Sequence, residues 1–194
     1  MVTITKKINL YEYNELEEKA KERAKEKFLE ARCEIDNDIF LENAMEIVGN
    51  YFQFIDGLEI QYSLSSCQGD GVNIYGKFDL RNVEGFEWLK SEVDSFDLAE
   101  NRRYYYSLKS QTETETVEEI ITEFEYASGS EVADWQVMEI RKMVETVFEK
   151  LKKTEKEIEE YGYRFFYEVS DEEMQEDSEA NGVLYLDDGT AYFD

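Results

Sequence analysis

Leu58-Glu59-Ile60-Gln61-Tyr62-Ser63-Leu64 and Val72-Asn73-Ile74-Tyr75-Gly76-Lys77-Phe78-Asp79-Leu80 decide the fold class. In the first run Leu58, Ile60, Tyr62 and Leu64 fall at every second position, and in the second Val72, Ile74, Gly76, Phe78 and Leu80 do the same. A strand sends successive side chains to opposite faces, so each run presents one apolar face. The interval Ser65-Ser66-Cys67-Gln68-Gly69-Asp70-Gly71 is turn chemistry, and the whole predicts an antiparallel hairpin. Gln68-Gly69-Asp70-Gly71 lacks the Lys-Ser/Thr of a phosphate-binding loop and leads into a strand, leaving no helix N-terminus to meet a phosphate. It reads as a turn in which Asp70 bonds back to the backbone, with contact to a partner as its functional reading.

Upstream, Val2 to Tyr13 alternates as an opening strand. A helix follows, capped by Asn14 with Glu17 completing a capping box, and Leu16, Ala20, Ala24, Phe28 and Ala31 form its apolar stripe. A second helix is predicted from Asp36-Asn37-Asp38 through Tyr51, closing near Asp56-Gly57. Downstream, Phe86, Leu89, Val93 and Leu98 suggest a third helix, and Arg103 to Lys109 a strand. The Thr-Glu alternation of Thr112 to Ala127 predicts a strand that pairs with it. The longest helix is expected over about 131–161, capped by Ser128 or Ser130 and stopped by Gly162, with Trp135, Met138, Ile140, Val144, Val147 and Leu151 on its apolar side; it would be roughly 45 Å long. The element 163–194 reads as a strand-like Tyr163 to Val169, a short helix capped by Ser170 with Glu173, and a terminal hairpin of Val183 to Leu186 with Ala191 to Phe193. The class is α+β: a single domain, residues 1–194, with an antiparallel sheet packed by helices.

Composition bounds the function. Forty-seven Asp and Glu oppose 21 Lys and Arg, a net charge of −26 with no histidine. Twelve Phe, 14 Tyr and two Trp supply a core, so this is no acidic disordered tail. Cys33 and Cys67 make neither a disulfide framework nor a zinc site and read as small buried or half-buried side chains. With no apolar run of spanning length and no basic-then-apolar N-terminus, a soluble, cytoplasmic protein is expected. The charge is uneven: residues 1–32 carry eight bases and seven acids, whereas nine acids and no base lie between Lys109 and Arg141, and 14 acids face two bases from Glu155 to Asp194. Such a field repels nucleic acid and anionic membrane and steers the protein onto basic surfaces.

Without histidine, Ser-His-Asp and Cys-His catalysis and imidazole ligation of metals are closed. Carboxylate pairs abound too freely to single one out. Asp36-Asn37-Asp38 and Asp187-Asp188-Gly189 read as a helix cap and a turn in preference to Mg²⁺ or Ca²⁺ ligands, since neither continues into a calcium-loop pattern. No catalytic residue, metal or cofactor is assigned, and a non-enzyme is expected.

Tyr11-Glu12-Tyr13-Asn14-Glu15-Leu16, the Gln68-Gly69-Asp70-Gly71 hairpin, Asn101-Arg102-Arg103-Tyr104-Tyr105-Tyr106-Ser107-Leu108, Glu159-Glu160-Tyr161 ahead of Ser170-Asp171-Glu172-Glu173, and Asp188-Gly189 come in one order along the chain. In these blocks it resembles a family of phage and mobile-element proteins of undetermined biochemical role. The resemblance implies such an origin and an α+β domain, and no reaction.

In a strand, Glu113 and Glu115 would share a side about 6.8 Å apart, as would Glu123 and Glu125, approximating successive phosphates of a DNA strand, with Glu118 and Glu119 extending the row. The alternative is a solvated face that holds apart a Thr-rich edge strand. Together with the charge asymmetry and the resemblance, the row leads to an expected inhibitor of a host defence nuclease, a CRISPR effector foremost. Glu113, Glu115, Glu118, Glu119, Glu123, Glu125, Tyr105 and Asp70 are its expected contacts, with no direct binding of nucleic acid. Tyr104, Tyr105 and Tyr106 cannot all face one side of a strand, so one should look outward. The long helix would be a rigid support or a homodimer contact. The alternative from another class is an antitoxin-like or phage-structural module that binds a basic partner.

Overall fold

The computed structural model describes residues 7–35, 37–52, 55–65, 71–80, 83–90, 92–98 and 113–192. The Arg103 to Lys109 strand, Tyr105, Asp70 and Cys67 lie outside the described residues, as do the side chains of Cys33 and Glu113. The elements in order are α1 (Glu18–Ile35), α2 (Asn37–Tyr51), β1 (Ile55–Ser63), β2 (Gly71–Asp79), α3 (Glu87–Lys90), β3 (Ser95–Asp97), α4 (Glu113–Ser128), α5 (Asp134–Tyr167), α6 (Asp171–Asn181), β4 (Leu184–Tyr185) and β5 (Ala191–Tyr192). The class is α+β with antiparallel sheets, as expected. No helix among the described residues is long and apolar enough to cross a membrane.

The chain divides into two compact units, one of Met1–Phe40 with Gly162–Asp194 and one of Leu41–Tyr161. In the first, the core gathers Tyr13, Leu16, Ala20, Ala24, Met174 and Tyr185. The Leu16, Ala20, Ala24 stripe is buried as predicted, Phe28 is half-buried, and Ala31 is exposed. The opening strand is corrected over the residues described. Tyr11 makes only an isolated antiparallel bridge to Tyr185, and Tyr13–Glu15 turns as a 3-10 helix. The cause is Tyr13. Its ring packs edge-on to Tyr185 at 6.0 Å, and its hydroxyl donates to Asp171 at 2.8 Å, so the chain must turn inward there. α1 therefore begins at Glu18, and Asn14 is not its cap.

The bases of α1 are spent on acids of the same unit. Arg23 pairs with Asp188, Lys25 with Asp171, Lys27 with Glu30 and Arg32 with Glu173. Arg32 also lies over the rings of Phe28 and Phe165 and donates to the Phe165 carbonyl. Part of the acidic run from Glu155 onward is thus neutralised from within. Lys25, and then the Tyr13 hydroxyl, hold the Asp171 carboxyl below the usual aspartate range. A carboxyl depressed in the folded state stabilises above its unfolded value and stops doing so as pH falls through the folded one. Tyr13→Phe is accordingly expected to lower the urea midpoint near neutral pH, and the deficit to shrink as pH falls below the ordinary aspartate range. A deficit unchanged with pH would show that the hydroxyl acts by packing alone.

Gly162 does not stop α5, and Tyr163 to Tyr167 is helical rather than strand-like. A glycine inside a helix costs about 1 kcal/mol. Packing overrides it, because Phe165 and Phe166 stack on the fully buried Phe40 at centroid distances of 6.0 and 5.1 Å. The start is corrected as well, from 131 to Asp134. Ser170 caps α6 as predicted by accepting from the Glu173 amide, and β4 pairs with β5 in the expected terminal hairpin.

In the second unit β1 and β2 form the predicted hairpin, with Ile60 opposite Ile74 and Tyr62 opposite Val72, and β3 adds to the free edge of β2 with Phe78 opposite Phe96. The predicted third helix is a single turn, α3. Leu89, Val93 and Leu98 are fully buried, but the Leu80 amide bonds to Asp94 and the Leu98 amide to Gly76, so strand pairing takes over after that turn. Asn43 donates to the Tyr161 hydroxyl and Tyr51 to Glu157, fastening α2 along α5.

The Thr112 to Ala127 strand is overturned: Glu113–Ser128 is the helix α4. Thr116, Val117, Ile120 and Phe124 are buried, a helical period that the Thr-Glu alternation obscured. Thr122 bonds to the Glu118 carbonyl one turn back, which lets a β-branched hydroxyl sit in a helix.

Candidate partner-binding face

Burial of one side of α4 turns Glu115, Glu118, Glu119, Thr122, Glu123, Glu125 and Tyr126 to solvent. The helix changes which carboxylates are neighbours. Residues two apart diverge, so Glu113 with Glu115 and Glu123 with Glu125 do not form the pairs a strand would make, and the 6.8 Å phosphate-like row is withdrawn. Glu115 with Glu119 and Glu119 with Glu123 are now the close pairs, about 5–6 Å between Cβ atoms. Of the expected contacts, the structure brings Glu115, Glu118, Glu119, Glu123 and Glu125 onto one helix. Glu113 opens that helix with its side chain undescribed, and Tyr105 and Asp70 lie outside the described residues.

Three exposed large side chains of this region were not singled out by the sequence reading. Tyr126 is 92% exposed among these carboxylates, and Trp135 and Met138, expected on the apolar side of the long helix, are 56% and 72% exposed. Their period gives the reason. At 100° per residue Trp135 and Met138 lie about 140° and 160° around the helix from Ile140, whose side is buried. The same count along α4 places Tyr126 off the Val117, Ile120, Phe124 stripe, a signal legible in the sequence.

Local contacts fix the start of α5. Trp135 meets Trp88 at 5.6 Å, and Trp88 meets Phe124 of α4 at 5.6 Å, both edge-on. Glu125 accepts from the Val132 amide and Gln136 from the Ala133 amide, satisfying backbone donors ahead of α5. No base lies between Lys109 and Arg141, so neither α4 nor the loop after it carries a positive charge. The acids of this stretch also work against their own helix. Like charges at i and i+4 cost about 0.2–0.5 kcal/mol per pair, and acids near a helix C-terminus oppose its dipole. Glu123→Lys should therefore stabilise the protein by about 1 kcal/mol, read as a raised melting temperature, while weakening any basic partner. A lowered melting temperature would mean that Glu123 has a structural role.

Among the described residues no group of three or more Cys, Asp or Glu is placed to hold a metal ion. Comparison with protein-family models, with curated proteins and with solved structures returned no match.

Proposed function

We propose that the chain is a non-enzymatic binding protein that docks a basic partner on the outer face of α4 and the first turns of α5. The observation that carries this reading is a helix face of carboxylates, in a stretch without a single base, with Tyr126 standing almost wholly in solvent among them. Carboxylates of one sign raise the encounter rate with a basic surface, and exposed Tyr and Trp are the residues that most often anchor interfaces.

The partner proposed is a nucleic-acid-binding protein, whose basic groove matches such a face; the block resemblance to phage and mobile-element proteins favours a host defence nuclease, and a CRISPR effector among these. The protein would occupy the groove and block engagement of DNA or guide RNA. The test is a pull-down with the tagged protein from lysates containing candidate nucleases, across a salt series, with cleavage assayed on what is retained. A retained nuclease that no longer binds or cuts DNA supports inhibition. Retention of a basic protein with every nuclease untouched replaces it with the antitoxin-like reading.

A further inference from the structure

A second feature of the Leu41–Tyr161 unit differs in chemistry from the acidic face. A cleft of about 690 Å³ opens between the end of α2, the end of β2, the segment before α3 and one side of α5. Its apolar surface comes from Phe52, Phe78, Phe86, Met143 and Val147. Phe78 and Phe86 are half-buried: Phe78 packs on Phe96 at 5.3 Å and Phe86 on Trp88 at 6.3 Å, and both line the cleft. Phe52 and Phe78 meet edge-on at 6.3 Å.

Two lysines stand on the wall, Lys142 and Lys150, about 12 Å apart along α5. Lys150 holds its ammonium 5.9 Å from the Phe52 ring centre, at the cleft, and Lys153 lies 5.4 Å over the neighbouring Tyr51. Asp79 and Glu139 also line the cleft, and Glu139 sits one turn before Lys142, away from the Lys150 end. In a chain of net charge −26, the Lys150 end of this cleft sets a base against its aromatic lining. The volume falls in the range of small-molecule sites, which are mostly apolar with a few placed polar groups.

We propose that this cleft binds an amphiphilic anion, a carboxylate or sulfonate whose head lies against Lys150, with Lys142 as the second base, and whose apolar body covers Phe52, Phe78, Phe86, Met143 and Val147. The proposal does not rest on the reading of the partner-binding face.

The experiment titrates the full chain with 1-anilinonaphthalene-8-sulfonate, an aromatic sulfonate that fluoresces when desolvated, and then competes it off with decanoate, decanol or decylammonium below their micelle concentrations. Saturable binding of one equivalent, displaced by decanoate well ahead of decanol and decylammonium, is expected. The double variant Lys142→Met, Lys150→Met should weaken binding about tenfold, the scale of two partly exposed ion pairs, while Lys156→Met, whose ammonium pairs with Glu160 and which does not line the cleft, leaves it unchanged. Thr146→Trp fills the cleft from its exposed wall, between the two lysines and without removing either charge, and should abolish binding with the circular dichroism spectrum retained. Equal displacement by decanol, preference for decylammonium, or binding that survives Thr146→Trp would each overturn the proposal. So would a lysine variant that lowers the melting temperature and leaves the affinity intact, which would make the lysines partners of the α2 C-terminus alone.

Discussion

Neutralising the outer face of α4, by changing Glu115, Glu118, Glu119, Glu123 and Glu125 together to Gln, is expected to lower affinity for the basic partner about a hundredfold. Exposed charge pairs contribute about 0.2–1 kcal/mol each, and five acting on one surface reach that scale. Most of the loss should be in the association rate, and the steep salt dependence of binding should flatten with it, because steering acts before contact. Gln keeps the side-chain acceptor that Glu125 offers the Val132 amide, and a retained circular dichroism spectrum is the check that the variant folds. Tyr126→Ala is the complementary change. It leaves the field intact and removes the most exposed aromatic of the face, so it should speed dissociation by about thirtyfold with little effect on association. Both are measurable by surface plasmon resonance across a salt series, and Trp135 provides a fluorescent report from the same region. Affinity unmoved by the five substitutions would remove the electrostatic basis of the proposed function.

Gly189→Ala is expected to destabilise the Met1–Phe40 and Gly162–Asp194 unit by about 3 kcal/mol. Gly189 lies at φ +83° in the turn between β4 and β5, a left-handed conformation that disfavours any side chain. A Cβ there would also run into the backbone carbonyl of Ala20 on α1, an atom with no rotamer by which to yield. The two causes separate cleanly. Asn tolerates the left-handed region, so Gly189→Asn would recover stability if conformation were the whole effect, whereas it should stay close to Gly189→Ala if the approach to Ala20 dominates. The readouts are the urea midpoint by far-ultraviolet circular dichroism and amide exchange in α1 and α6, which should quicken. A loss below about 1 kcal/mol for Gly189→Ala would mean that the turn swings away from α1 without strain.

The sequence by itself determined the elements whose side-chain period is unambiguous and whose partners lie close in the chain. The β1–β2 hairpin, the Ser170 cap of α6, the terminal hairpin and the stripe of α1 follow from local pattern and turn chemistry. The acidic stretch was legible too, as was the want of imidazole chemistry. Tertiary structure decided what local pattern left balanced. In α4, alternating Thr and Glu favoured extension over a few residues, but Val117, Ile120 and Phe124 can be buried together only on a helix, and burial of three such side chains outweighs a propensity difference of tenths of a kcal/mol. That outcome dissolved one carboxylate row and made another. In α5 the stacking of Phe165 and Phe166 on Phe40 carried the helix through Gly162, against the local rule. Tertiary contact also sorted the charges. The bases of α1 meet Asp171, Glu173 and Asp188, acids far along the chain, whereas α4 carries no base of its own. Net charge is a sum over sequence, but which carboxylates share a face depends on how the chain folds.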